Sequence, residues 1–197
     1  MNNGDNIMAS NQDSPFGIRA IGKIGQNRDN QGLSEYSVAA SAGAIYFQDP
    51  VKALNTGTIG VAAAGDSLLG GLNGIFFTAT DTQKPTFAQH LNASNTATDI
   101  VAFVSDDPYE RFEIQSDNST ASAQTDVFMN YDILYAAGDS ANYVSNVELD
   151  DSSLSSTSGQ LRVVGVSKDI KNNNLGASNV NFVVMINEHF LKTQAGV

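Results

Sequence analysis

The stretch FVSDDPYERFEIQ, residues 103–115, decides how the rest of the chain is read. Asp106, Asp107, Glu110 and Glu113 place four carboxylates within eight residues, beside Arg111 and between two apolar runs. Such a cluster fits the acid/base pair of a hydrolase, the oxygen ligands of a calcium ion, or a turn whose carboxylates face water. Pro108 favours the turn, because it biases Asp107 away from helix and Asp before proline commonly initiates turns. Glu113 follows Arg111 by two residues, on the same face of a strand, where a surface ion pair is expected. Retaining glycosidases hold two carboxylates about 5 Å apart in aromatic clefts, and this chain has no Trp. The spacing of Asp106 and Asp107 is not diagnostic of calcium. The stretch reads as strand–turn–strand, with no catalytic residue and no metal ligand assigned; calcium at Asp106 and Asp107 stays an open alternative.

Outward from it, the chain is rich in strand-like segments. EYSVAAS (35–41), AIYFQD (44–49), TIGVAAA (58–64), GIFFTAT (74–80), TDIVAFVS (98–105) and RFEIQS (111–116) have β-branched and aromatic content. YDILYAAG (131–138), YVSNVEL (143–149), QLRVVGVS (160–167) and VNFVVMIN (180–187) follow, with Leu161, Val163 and Gly165 alternating with Arg162, Val164 and Val166. Two segments have a helical option: PTFAQHLN (85–92), with Phe87 and Leu91 four apart after a proline, and TDVFMN (125–130). The glycine stretch LGGLNG (69–74) reads as a turn, since it lacks the features of a phosphate-cradling loop or a dinucleotide fingerprint. Many short strands with little helix predict a mainly β protein. Its body is expected to be an antiparallel β-sandwich or barrel, with a jelly roll among the arrangements admitted.

The first thirty residues differ. Residues 1–14 are nearly free of large apolar side chains, and from Pro15 onward Gly17, Gly22 and Gly25 interrupt any helix. Residues 1–30 are therefore expected to form a flexible or extended arm, and 31–197 the β-rich body. Net charge is −11 and unevenly placed. Between Asp99 and Asp151 twelve acidic residues stand against Arg111 alone, while Ser14 to Arg28 carries Arg19, Lys23 and Arg28 and no acid.

These features exclude several function classes. No dense basic face exists to grip phosphates, so nucleic acid is not an expected partner. No apolar run has the length of a membrane span, and the N-terminus lacks the pattern of a secretory signal, so synthesis in the cytoplasm is expected. With no cysteine there is no disulfide, thiolate metal site or thiol nucleophile. The two histidines, His90 and His189, are 99 residues apart in FAQHL and NEHFL. Glu188 and His189, as adjacent strand residues, point to opposite faces. No GxSxG elbow or HExxH occurs, and no cofactor is expected.

Several separated pieces carry a resemblance: ASNQDSPFGIRAIGKIG, FVSDDPYERFEIQ, YVSNVELDDSS, QLRVVGVSKDIKNN and VVMINEHF, in that order. The chain resembles a family of small tailed-phage virion proteins that begin Met-Ala-Asn, then an acid, then Pro-Phe-Gly-Arg/Leu-Arg-Pro. The likeness runs from about Met8 to the C-terminus. Residues 1–7 stand as an extension before the family start, and Ala20 stands where the family often has proline. The resemblance implies a non-enzymatic head decoration, or cement, protein on the outer capsid surface of the virion. Its partners would be the major capsid protein and further copies of itself, as a homotrimer or dimer about a local symmetry axis. On that reading the arm lies extended on neighbouring subunits. Arg19, Lys23 and Arg28 would meet acidic patches, and Phe16, Ile18, Ile21 and Ile24 would fill apolar pockets. A tail or head-fibre component, and a carbohydrate-binding or carbohydrate-hydrolysing sandwich, are the alternative classes.

Overall fold

A computed structural model of the protein describes residues 11–25 and 32–192. The expected architecture is found: mainly β, with thirteen strands among the described residues and antiparallel sheets in a sandwich-like arrangement that is not a closed barrel. The strands are β1 (Arg19–Lys23), β2 (Ser34–Ser37), β3 (Pro50–Ala53), β4 (Ile59–Val61), β5 (Gly70–Thr78), β6 (Pro85–Ala88) and β7 (Val101–Ser105). They continue as β8 (Glu110–Gln115), β9 (Asn130–Tyr131), β10 (Ile133–Leu134), β11 (Glu148–Leu149), β12 (Leu161–Val166) and β13 (Asn181–Ile186). One sheet runs β1-β8-β13-β12-β9, and the other β2-β7-β5-β3-β4 with β6 also on β5; β10 and β11 form a ribbon. A single bridge, Val38 to Ile59, links the two edges of the second sheet at one point.

The stretch at 103–115 is the corner between the sheets. β7 belongs to one sheet and β8 to the other, so the turn at Asp106–Tyr109 does not close a hairpin. Val104 points into one apolar cluster with Ala102, Leu72, Ile75 and Val51, while Phe112 and Ile114 enter a second with Phe182, Val184 and Leu161. Alternation places these residues inward: Leu161 and Val163 on β12 are buried while Arg162 between them is exposed. Leu68 and Leu69, neighbours in sequence, divide between the two clusters. Burying side chains of this size contributes about 1.5–3 kcal/mol each.

Four local readings are corrected. LGGLNG is the first half of β5, not a turn. Gly70 and Gly71 are there for close approach: a Cβ on Gly70 would lie 2.0 Å from the Ser105 carbonyl oxygen, and one on Gly71 3.0 Å from that of Ile18. PTFAQHLN begins as strand β6, because Ile75–Thr78 of β5 offers it an open edge. TDVFMN is no helix: it carries the end of a short 3₁₀ turn, Gln124–Asp126, and at Asn130 the start of β9. The segment 44–49 makes isolated bridges at Ile45 and Phe47 in place of a strand.

Candidate functional site

The N-terminal segment and the 103–115 corner fold onto each other. Residues 11–25, expected to lie extended on neighbouring subunits, lie on this chain's own body, extended as far as Lys23 and turning at Ile24 and Gly25. Asn11 is buried and its amide donates to the carbonyls of Asn174 and Ser178 at 3.1 and 2.7 Å. Asn172 donates to the Gln12 carbonyl at 2.7 Å, and Gln115 both donates to that carbonyl and accepts from the Ser14 amide. Each is a side-chain amide satisfying backbone groups outside the sheet ladders, in the N-terminal segment or in the 172–179 loop. From Arg19 the segment becomes β1 and pairs antiparallel with β8, Arg19 opposite Glu113 and Lys23 opposite Glu110. A register shift between Ala20 and Gly22 displaces Ile21, which is left 43% exposed.

The carboxylates of the corner each have a structural partner. Glu113 is buried and ion-paired with Arg19, whose guanidinium stacks over the Phe16 ring at 4.7 Å. The expected Arg111–Glu113 pair is thus overturned: β1 brings a guanidinium onto β8 from outside the local sequence. Asp107 accepts from Lys23 at 2.7 Å and from the Tyr109 amide at 2.8 Å. The Lys23 ammonium holds the Asp107 carboxyl below its usual range, and Asp107 in turn raises the Lys23 pKa. Glu110 is buried and accepts from the Gly22 amide at 3.0 Å; burial raises its pKa. Asp106 accepts from the Tyr36 hydroxyl at 2.6 Å and the Ser34 hydroxyl at 2.9 Å, tying β2 to the corner. Burial, then that bond, pushes the Tyr36 pKa up to about 12.

Of the residues expected to grip a partner, Ile18 is corrected most clearly. It is 1% exposed, packed in the cluster of Phe112 and Leu68, with its amide on the Gln48 carbonyl at 2.9 Å. Its side chain fills this chain's own core and reaches no outside pocket. Gly17 before it has φ +75, and any Cβ there would meet Gln48 and Ser145. Phe16 and Lys23 are half-buried, Ile21 and Ile24 are exposed, and Arg28 lies outside the described residues.

Of the two histidines, His90 sits apart from the corner, whereas His189 lies beside it, within reach of Asp106 and Asp107. His90 stacks on Tyr143 at 3.7 Å. His189 is buried after β13, its Nδ1 accepts from the Leu191 amide, and burial pushes its pKa down to about 4. Glu188 beside it accepts from the Gly159 amide at 3.1 Å, so the adjacent pair serves different partners. Among the described residues no group of three or more His, Asp or Glu is arranged to hold a metal ion. No helix among them is long and apolar enough to cross a membrane.

Two features escaped the sequence reading. A groove of about 300 Å³ is lined by Ala42, Ile45, Tyr46, Val61 and Tyr135, whose members come from distant segments. Phe76, Phe87 and Phe103 gather on one face of the second sheet, which only the strand identity of 85–88 makes visible. Comparison with protein-family models, with curated proteins and with solved structures found no match.

Proposed function

We propose that the protein is a non-enzymatic head decoration protein of a tailed phage, binding the outer surface of the major capsid protein shell and bridging neighbouring capsomers. The observation that carries this reading is the self-docked N-terminal segment: the carboxylates of residues 103–115 are engaged by β1, β2 and their own turn. A segment held this way turns a resemblance motif into a structural joint and leaves no carboxylate of the corner without a protein partner. The same joint supports a choice of contact residues. Arg19 and Lys23 are paired within the chain, which favours the exposed Ile21 on edge strand β1 and Ile24 in the turn after it as the capsid contact in this reading. An edge strand with exposed apolar side chains can add to a partner's strand. Many weak contacts on a repeating lattice then hold each copy by avidity.

Truncation through residue 30 would remove β1 and Ile18 and with them part of the core, so point substitutions make the better test. The intact protein mixed with expanded, undecorated shells should co-sediment saturably, and Ile21→Glu with Ile24→Glu should lose most of that binding while keeping the native circular dichroism. An intact protein that stays in the supernatant at every ratio would sink the reading.

A further inference from the structure

A polar pocket of about 210 Å³ opens where the N-terminal segment crosses the first sheet. Its walls come from that segment, from β8, from β13 and from the loop before β13. Three of its side chains are amides more than nine-tenths buried: Gln115 at 1% exposure, Asn181 at 3% and Asn172 at 5%. Gln115 and Asn181 stand opposite each other on β8 and β13. Amides this deeply buried are far less common than exposed ones, so what each is bonded to is informative.

Backbone groups dictate which way each amide is turned. The Ser14 amide donates to Gln115 Oε1 at 2.8 Å, so Gln115 Nε2 is the donating end. It reaches the Gln12 carbonyl at 3.0 Å and Asn181 Oδ1 at 3.1 Å. Asn181 Nδ2 is thereby left as a donor with no partner among the described residues. Asn172 Nδ2 donates to the carbonyls of Gln12 and Asn179 at 2.7 and 2.8 Å, which leaves Asn172 Oδ1 as a free acceptor. The Asn181 backbone amide donates to the Asn172 carbonyl at 2.8 Å, so the two free ends belong to adjoining residues. Both residues line the pocket, and each brings it one unused hydrogen-bonding group.

A donor and an acceptor held side by side, with no freedom to exchange ends, match a group that accepts and donates at once, as a hydroxyl does. Lys171 and Asp169 on the same wall add a second donor and a second acceptor, and neither has an ion-pair partner among the described residues. Asp169 Oδ1 accepts from the Lys171 backbone amide at 3.0 Å, which fixes that turn. The charges of Lys171 and Asp169 cancel, and Arg19 is paired with Glu113, so the lining selects neither an anion nor a cation. Phe16 supplies the aromatic side chain, and a ring face suits the polarised C–H bonds of a sugar. The volume lies below the roughly 300–1,000 Å³ of drug-sized sites, which limits the occupant to one small ring. We infer that this pocket binds one neutral monosaccharide unit of a glycan, whose hydroxyls bridge Asn181 Nδ2 and Asn172 Oδ1. The inference does not depend on the decoration reading.

Amide-detected NMR of the full chain tests it, with the methyl glycosides of glucose, galactose, mannose and N-acetylglucosamine as probes and sodium acetate as the anion control. At least one glycoside should shift the side-chain amide signals of Asn181, Asn172 and Gln115, with a Kd of about 0.1–10 mM, as a few hydrogen bonds supply. Asn181→Asp keeps the Oδ1 acceptor for Gln115 and removes the free donor, so binding should weaken by more than about tenfold. Lys171→Ala, at an exposed position, should keep the wild-type circular dichroism and weaken binding by about three- to tenfold. That variant decides the matter if Asn181→Asp does not fold. No shift with any glycoside at about 50 mM, five times the weakest Kd expected, overturns the inference. So does undiminished binding by folded Asn181→Asp, or by Lys171→Ala. Shifts with acetate and none with the glycosides would give the pocket to a carboxylate and overturn it as well. Failure to co-sediment with shells refutes the decoration reading alone and leaves this pocket standing.

Discussion

Gly70→Ala should be among the most damaging single-methyl additions to this protein. Gly70 opens β5 opposite Val51 of β3, and the next residue, Gly71, pairs with Ser105 of β7. A Cβ at position 70 would sit 2.0 Å from the Ser105 oxygen, 2.8 Å from its carbonyl carbon and 2.9 Å from Val104 Cγ1. Two of those atoms are backbone, and β7 is clamped between β2 and β5, so no rotamer change relieves the clash. Separating β5 from β7 far enough would break ladder hydrogen bonds worth about 1 kcal/mol each, in addition to an overpacking cost of about 1–3 kcal/mol. A loss of about 4 kcal/mol is expected, equivalent to about 8–16 °C in Tm for a chain of this size. Gly165→Ala on β12 is the control: nothing lies within 4 Å of its added Cβ, and Ala there should change stability by less than about 1 kcal/mol. Urea denaturation followed by far-UV circular dichroism measures both. A Gly70→Ala protein within about 1 kcal/mol of wild type would show that β5 and β7 do not approach as described, and would restore the turn reading of LGGLNG.

Three further outcomes follow from buried and strained groups. Asp151, beside Asp117 and with one buried oxygen lacking a hydrogen-bond partner, has its pKa pushed up to about 8 by burial and then by Asp117, from an ordinary 3.8. Its folded form binds the extra proton, so its contribution is complete below the unfolded value and is lost as pH rises through about 8; Asp49 (about 6) and Glu148 (about 7) act in the same sense. Asp151→Asn should therefore be more stable than wild type at pH 8 and no more stable at pH 4, by denaturant titration at each pH; His189 opposes these acids, losing stability as pH falls from 6.5 through about 4. Phe128 is 75% exposed at φ +77, a left-handed conformation unfavourable for a bulky side chain, so Phe128→Asn should gain about 1 kcal/mol, read as a higher Tm. Asp106→Ala should strip Tyr36 and Ser34 of their acceptor, cost about 1–3 kcal/mol, and lower the Tyr36 pKa in an ultraviolet titration.

The β architecture was legible because alternation and β-branched content are local signals, as in Leu161, Val163 and Phe182, Val184, Ile186. What local rules missed was set by tertiary contact. Gly70 and Gly71 look like turn residues until the closeness of β7 and Ile18 is known. Phe87 and Leu91 have helical spacing, yet Phe87 faces solvent while Leu91 is buried beside Ile45. The corner at 103–115 was correctly read as strand–turn–strand, but its partners Arg19, Lys23 and Ser34 lie about 70–95 residues earlier in the chain. An ion pair across that separation leaves no trace in spacing, so the nearer Arg111 appeared to be the partner of Glu113. The N-terminal segment was read as extended, which it is over residues 11–23. That its acceptor surface is the chain's own β8 follows from Gly17, Ile18 and the Asn and Gln side chains acting together, none of which is decisive alone.

An image reconstruction of virions that contain this chain tests the decoration proposal most directly. Density matching the two-sheet body should repeat over the whole shell, seated where capsid subunits meet, with β1 toward the shell. Density confined to a single vertex or to the tail, or none on the capsid at all, would contradict it.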